Sequence, residues 1–498
     1  MNKYGSVPSI PPLSTQKLLS LSHSERDLLQ SHQPGYGSRS RTEVGFNLVN
    51  ATVGAGLIGV PFALYKAGFI CGIIMSIFVS IISQLGLYML ITAGQRVHIY
   101  KFATLVEYIM GRPGYHFLNI MIFIQAGGAC LSYLILIGDT LPVLLDLYIP
   151  QYPILSNRTL VLVTVSCLLI FPLNLSRSIG AVAKWSIVSV LCLPIILLTL
   201  LIRAPAYASS HDASPISIVG PDLFGAVAIM AFAFACSQVA FNNFLTLKEQ
   251  TSRAWAQAVT IAAIISYVVS MGFAIIGYLS FGENVQPNLF LNFPQDDSII
   301  NIGRFALGFS MILTVPMAFY PAREAIQKTL GFETSEKQPN AYQHYGITIL
   351  ISILLTILGI YVRSIGKVYA LIGGFAATTL AYIIPAAAYL KTRSISKYTQ
   401  EESKQALLQH DNFSNHSGES SGNRSTTNGN VTSTPVSTRR GTEVDEDYEE
   451  SQIVVEEEPV VIDLDDGKPC WFLDIGAVLL IVWGFVVMFF STKSVIMD

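Results

Sequence analysis

A chain of 498 residues that is 51% hydrophobic and only 13% charged, with a mean hydropathy of +0.51, lies far from the roughly 25% charge of soluble domains and reads as an integral membrane protein. Its net charge of -3 gives no basic field for a nucleic-acid partner. Cys71, Cys130, Cys167, Cys192, Cys236 and Cys470 all fall in or beside apolar runs without CxxC spacing, so they imply no metal site, no bound cofactor and no disulfide framework.

Residues 1–43 are polar and Ser-rich with no apolar core of a signal peptide, which predicts a disordered cytoplasmic tail and insertion directed by the first span. That span, 44–66, reads VGFNLVNATVGAGLIGVPFALYK. It is long enough to cross a bilayer, which takes roughly 20 residues, yet Asn50, Thr52, Gly54, Gly56, Gly59 and Pro61 are poor residues for one continuous helix. The pattern predicts a break near Val53 to Gly56. Broken backbone at membrane depth survives only inside protein or beside a wet cavity, as at the midplane sites of secondary transporters, where freed N–H groups and a half-helix N-terminus face an anionic group. Small residues that let helices pack closely are the plainer reading of the same stretch.

Ten further apolar runs follow, near 69–93, 116–148, 159–174, 181–202, 219–244, 256–281, 299–321, 345–362, 366–390 and 471–491, predicting about eleven transmembrane helices. The third is too long to stand upright and must tilt or project. Arg and Lys are concentrated in the connections that are internal if the N-terminus is cytoplasmic, so the C-terminus is expected on the far side. Asn157-Arg158-Thr159 then lies outside the cytoplasm, where it is a glycan acceptor. Residues 391–470 run from Ser/Asn-rich low complexity into an acidic stretch, EVDEDYEESQIVVEEE, and are expected to be a disordered cytoplasmic loop open to regulators. The domain plan is therefore a tail at 1–43, a core at 44–390, the loop at 391–470, and an eleventh span within 471–498.

Transporters built from two inverted halves show interrupted spans in corresponding positions. With five spans per half, the first span corresponds to the sixth, AVAIMAFAFACSQVAFNNFLTLK, whose middle carries Cys236, Ser237, Gln238, Asn242 and Asn243. Such polar clustering at membrane depth is costly unless it faces a cavity or partners. In the eighth span, Ser310 and Thr314 share one helical face; with Asn50 and carbonyls freed around Val53 and Gly54 they could ligate a hard cation such as Na+, or simply bond back to their own helix. Asp139 and Lys184 are the intramembrane charges best placed for proton coupling, with interfacial anchoring as the structural alternative.

These residues resemble the amino acid/auxin permease family, which includes fungal vacuolar amino acid transporters and sodium-coupled neutral amino acid transporters. The resemblance is carried by Phe46-Asn47-Leu48-Val49-Asn50 through Gly54-Ala55-Gly56-Leu57-Ile58-Gly59-Val60-Pro61, by Gly138-Asp139-Thr140-Leu141-Pro142, by Gly277-Tyr278-Leu279-Ser280-Phe281-Gly282, and by Leu313-Thr314-Val315-Pro316 with Tyr320-Pro321-Ala322-Arg323. It covers about 44–391 and the last span. It implies an all-α polytopic, LeuT-like 5+5 inverted-repeat fold of the APC superfamily plus one extra helix. It also implies a substrate site between spans one and six, and places the family's sodium-site Asn and Thr on Asn50 and Thr314. Cys236-Ser237-Gln238 stands where many relatives have Cys-His, so any role attributed to that histidine does not transfer. The acidic loop looks like vacuolar members more than plasma-membrane ones.

The expectation is a transporter, not an enzyme, that moves a small neutral amino acid across a vacuolar membrane by alternating access, driven by H+ or Na+. Val53, Gly54, Ala55 and Gly56 would hold the carboxylate, Ser237 and Gln238 the ammonium, and Asn50, Ser310 and Thr314 a Na+ ion. An amino acid sensor signalling through the 391–470 loop with little flux is the alternative. An aspartyl protease at Asp139 fails for want of a second deep carboxylate.

Overall fold

The computed structural model describes residues 33–176, 179–208, 216–333, 339–394 and 471–497. Lys184 has no described side chain, and Arg177, Cys470, the tail to residue 32 and residues 395–470 lie outside the described set. Ser40 starts the first helix with a capping box, its hydroxyl accepting from the Glu43 amide while the Glu43 carboxylate accepts from the Ser40 amide. Helix α1 (Arg41–Thr52) ends where the sequence expects a break, and α2 (Ala55–Ala67) resumes after Val53 and Gly54 at a bend of 67°. Then come α3 (Phe69–Val97), α4 (Phe102–Tyr148), α5 (Arg158–Asn174) and α6 (Ile179–Ala208). The sixth span is also split, into α7 (Leu223–Phe234) and α8 (Ala240–Thr246). The remainder are α9 (Ser252–Phe281), α10 (Ser298–Thr329), α11 (Ala341–Tyr361), α12 (Ile365–Ser394) and α13 (Trp471–Met497).

Among the described residues, eight helices are long and apolar enough to cross a membrane, nine with the bent α1–α2 pair, and α5 and part of α6 are shorter apolar helices. Together they match the expected runs one for one. The third run starts earlier than expected, at Phe102, because Gly111 adopts φ 71°, ψ -169° and turns the chain between a short segment and a long one. Large side chains such as Leu350, Ile353 and Ile357 on α11, or Leu479, Val482 and Phe489 on α13, are exposed on the outer surface, where lipid rather than water is their solvent. Because lipid is as apolar as Leu, helix association depends on close fit. Gly373 of α12 shows this: a Cβ there would meet the Ala228 carbonyl oxygen of α7 at 1.8 Å.

Helix α10 packs along α4 and α6, α7 lies against α2, and α9 lines both α1 and α2. The two broken spans run antiparallel and are tied together at both ends. At one end the Arg39 amide donates to the Thr246 carbonyl at 2.9 Å, the Lys248 amide donates to Arg39 at 2.9 Å, and Arg41 pairs with Glu249. At the other, the Gly220 and Asp222 amides donate to Ala67 and Lys66 at 2.8 and 2.9 Å, and Lys66 lies 3.5 Å from Asp222, which caps α7 through the Gly225 amide.

The connection from α9 to α10, residues 282–297, closes over the same end. Arg304, 3% exposed, donates to the carbonyls of Phe290, Phe293 and Pro294. Asp297 accepts from Arg203 Nε and Tyr207 Oη, both at 2.7 Å, and from the Ile299 and Ile300 amides. Burial would raise the Asp297 carboxyl, but its bonds from Tyr207, Arg203 and the Ile300 amide outweigh that and hold it below the usual carboxylate range. Its contribution is therefore complete at neutral pH and is lost only as pH falls through that depressed value. Asp297→Asn is expected to destabilise the protein by about 2 kcal/mol at neutral pH, with the gap to wild type narrowing in strong acid; thermal unfolding followed across pH checks it, and a gap constant with pH contradicts it.

Candidate functional site at two helix breaks

Two peptide units set the first break. Val53, at φ -81°, ψ 81°, donates back to Val49 at 2.7 Å and so closes α1, while the Gly54 amide turns onto Thr52 at 3.0 Å. Gly54 then takes φ -130°, ψ -139° as the N-cap of α2, with no side chain capping that helix. The first amides of a helix have no partner within it, so the α2 start, at Ala55 and Gly56, presents N–H groups and the positive end of a helix dipole inside the protein.

The second break forms without Gly or Pro. Ala235 is extended (φ -84°, ψ 125°) and closes α7; Cys236 has φ -140°, ψ 25°, and a tight turn over Ser237–Val239 leads into α8. The last carbonyls of α7 lack partners within the helix and form the negative end of its dipole. Ser237 is buried at 2% exposure and its Oγ has no hydrogen-bond partner; Gln238 is half-buried. An unpaired hydroxyl at such depth is costly.

The breaks touch. A Cβ on Gly56 would lie 2.6 Å from Ala233 Cα, and one on Gly54 3.3 Å from the Tyr133 hydroxyl. Thr52 Oγ1 donates to the Leu48 carbonyl at 2.7 Å. Beside them lies a cavity of about 20 Å³ lined by Thr52, Ser83, Gln84, Cys236 and Ser266, with Ser266 Oγ buried and unpartnered. That volume holds about one water. Tyr369 stands over Gly59 and stacks on Phe232 at 5.3 Å, an aromatic wall on the other side of α2.

The structure thus brings Val53, Gly54, Ala55, Gly56, Ser237 and Gln238 to the two breaks. Ser310 and Thr314 are together on α10, where both meet Ser189 of α6: Ser189 Oγ is 2.8 Å from Ser310 Oγ and 2.5 Å from Thr314 Oγ1. Thr314 also bonds back to the Ser310 carbonyl and Ser310 donates to the Ser189 carbonyl. Asn50 is exposed on α1, and no described hydrogen bond links it to that trio. Sequence reading missed Tyr133, Ser189, Ser266 and Tyr369. Ser189 carried only the weak signal of a hydroxyl in an apolar span, shared with Ser186 and Thr199; the two tyrosines carried none.

A family model described as transmembrane amino acid transporter protein matches residues 37–410. The chain is 31% identical over 395 residues to the Bos taurus protein named "Putative sodium-coupled neutral amino acid transporter 11", covering 78% of this chain and 82% of that protein. It is 28% identical over 357 residues to "Vacuolar amino acid transporter 2" of Saccharomyces cerevisiae, covering 68% of this chain and 74% of that one. A solved structure of a Na+-coupled sialic acid symporter, in a substrate-bound outward-open state, aligns over 74% of this chain and 83% of that chain at 13% identity and a TM-score of 0.44.

The steric contrast between the two glycines is measurable. Gly56→Ala pushes a methyl into the α7 backbone and is expected to lower stability by about 2 kcal/mol, whereas Gly54→Ala asks only the Tyr133 hydroxyl to shift and leaves the melting temperature within error. Equal melting curves for the two variants would show that the breaks are not packed this way.

Proposed function

The chain belongs to the transmembrane amino acid transporter family, and on that premise we propose that it is a secondary active carrier of neutral amino acids, driven by H+ or Na+ and working by alternating access. The observation that carries this reading is the facing pair of helix ends, the uncapped start of α2 and the open end of α7. The amides of Ala55 and Gly56 bind the α-carboxylate. The terminal carbonyls of α7, with Ser237 and Gln238, bind the α-ammonium. One zwitterion therefore offers each helix end the charge it favours, the carboxylate to the positive start of α2 and the ammonium to the negative end of α7. No Asp, Glu, Lys or Arg stands in either break, which favours a neutral side chain, with Tyr133 and Tyr369 bounding its space.

In this reading α1 and α8 open on one side, α2 and α7 on the other, each pair moving with the ties at its own end. A Na+ ion, where it is the driver, is held by Asn50, Ser310 and Thr314, with Ser189 as a further oxygen. The N-terminus is cytoplasmic and the C-terminus lumenal. A vacuolar membrane is supported by the likeness to the yeast vacuolar protein, and exposed Asn157 at the start of α5 carries the glycan. The 391–470 loop is the docking place for cytoplasmic regulators.

Uptake by the purified protein in liposomes, across a panel of amino acids and with one ion gradient at a time, tests the proposal. Gly54→Val, which fills the space before the free amides, is expected to lower uptake of the preferred amino acid at least about tenfold at unchanged abundance; uptake at the wild-type level removes the site assignment. Binding without flux in the wild type would favour the sensor reading instead. Where a sodium gradient drives uptake, Thr314→Ala is expected to raise the half-saturating sodium concentration about tenfold, about 1.4 kcal/mol, and an unaltered sodium titration counts against the cation site.

A further inference from the structure

Asp139 lies on α4 at the end where Lys66 meets Asp222, six residues from Tyr133 and so about 9 Å along the helix from the first break. Its side chain is only 13% exposed. Two groups face it at long range: Arg158 Nε of α5 at 3.8 Å and Asn288 Nδ2 of the 282–297 connection at 3.4 Å. An ionised carboxylate has about four acceptor sites, so this one is buried with thin compensation. Arg158 is already divided: its Nη1 donates to the Gly359 and Ile360 carbonyls at the end of α11, at 3.0 and 3.1 Å, and its Nη2 is buried without a partner. Asn288 is fully buried; its Oδ1 accepts from the Phe290 amide, so Asp139 is the partner of its amide group. The carboxylate therefore fastens the connection between α9 and α10 to the α4–α5–α11 side of the molecule.

We propose that Asp139 is a proton-binding site: ionised, it latches the 282–297 connection through Asn288, and protonated from the face opposite the N-terminal segment, it lets that connection go. A neutral carboxyl loses its attraction to Arg158 and is a weaker acceptor for Asn288, while Arg158 keeps its carbonyl partners and stays in place. The other charged and titratable groups around Asp139 are Arg363, which lies behind Arg158, and Tyr369 on α12. From α10, the near residue Gly308 packs on Thr140 and Leu141 and is uncharged. The far end of the connection stays anchored when Asp139 is protonated, because Arg304 holds it through carbonyls and Asp297 remains ionised to lower pH. The proton so bound would open the substrate path on the side it came from; that use of the latch rests on the transport reading, whereas the latch itself does not.

Hydrogen–deuterium exchange of residues 282–292 in the full chain, reconstituted in lipid nanodiscs and compared at about pH 7.5 and about pH 5 after correction for intrinsic rates, reads the latch without any transport. Wild type is expected to exchange several-fold faster in acid. Asp139→Asn and Asn288→Ala should be fast at both pH values, and Asp139→Glu should keep a pH response. A wild type that does not respond to pH, or a response that survives in Asp139→Asn, overturns the proposal; should that variant not fold, a response surviving in Asn288→Ala does so. Absence of amino acid counterflow in wild-type liposomes alongside an intact exchange response would sink the transport reading and leave the latch standing.

Discussion

The contact on which the rest depends is backbone on backbone: the first turn of α2 lies so close to Ala233 of α7 that Gly56 has no room for a methyl group. In hydrocarbon each unpaired N–H or C=O costs several kcal/mol, so neither span could unwind alone in lipid. Pressed together and enclosed by α4, α9 and α12, the two breaks hide one another's exposed peptide groups from lipid. The feature that makes the helices poor as helices is what brings their free peptide groups together inside the protein.

That arrangement requires the ends of the broken spans to be fixed, because a half-helix of twelve or seven residues has little grip of its own. The ties meet the requirement from both sides: Arg39 with Thr246 and Lys248 at one end, Lys66 with Asp222 at the other. Each tie joins one half of the first broken span to the neighbouring half of the second, α1 to α8 and α2 to α7. The 282–297 connection, held by Arg304, Asp297 and Asn288, covers one end of this assembly.

The fold was legible where physical cause is local. Run length and hydropathy located the spans, and Gly54, Gly56 and Pro61 announced the first break because they act on their own backbone. The second break was legible only through the cost of Ser237 and Gln238 at membrane depth and through its position opposite the first; Ala235 and Cys236 have no intrinsic reason to leave a helix, and the unwinding there is imposed by packing. Ser310 and Thr314 were placed on one face by helical period alone. That they meet Ser189, or that Asp139 faces Asn288, depends on contacts across 121 to 149 residues of chain, which no local pattern encodes. Gly111 and its bend were likewise invisible, because a Gly-Arg-Pro-Gly stretch is equally suited to ending a helix.

The central claim is that peptide amides, rather than a side chain, hold the carboxylate of the transported molecule. Competition for uptake by the preferred amino acid and by its carboxamide, in which the carboxylate charge is removed and the rest kept, tests it most directly. Two charge-assisted hydrogen bonds at the start of α2 amount to about 3 kcal/mol or more, so the carboxamide is predicted to compete at least about 100-fold less well. A carboxamide that competes as well as the free acid would contradict the account.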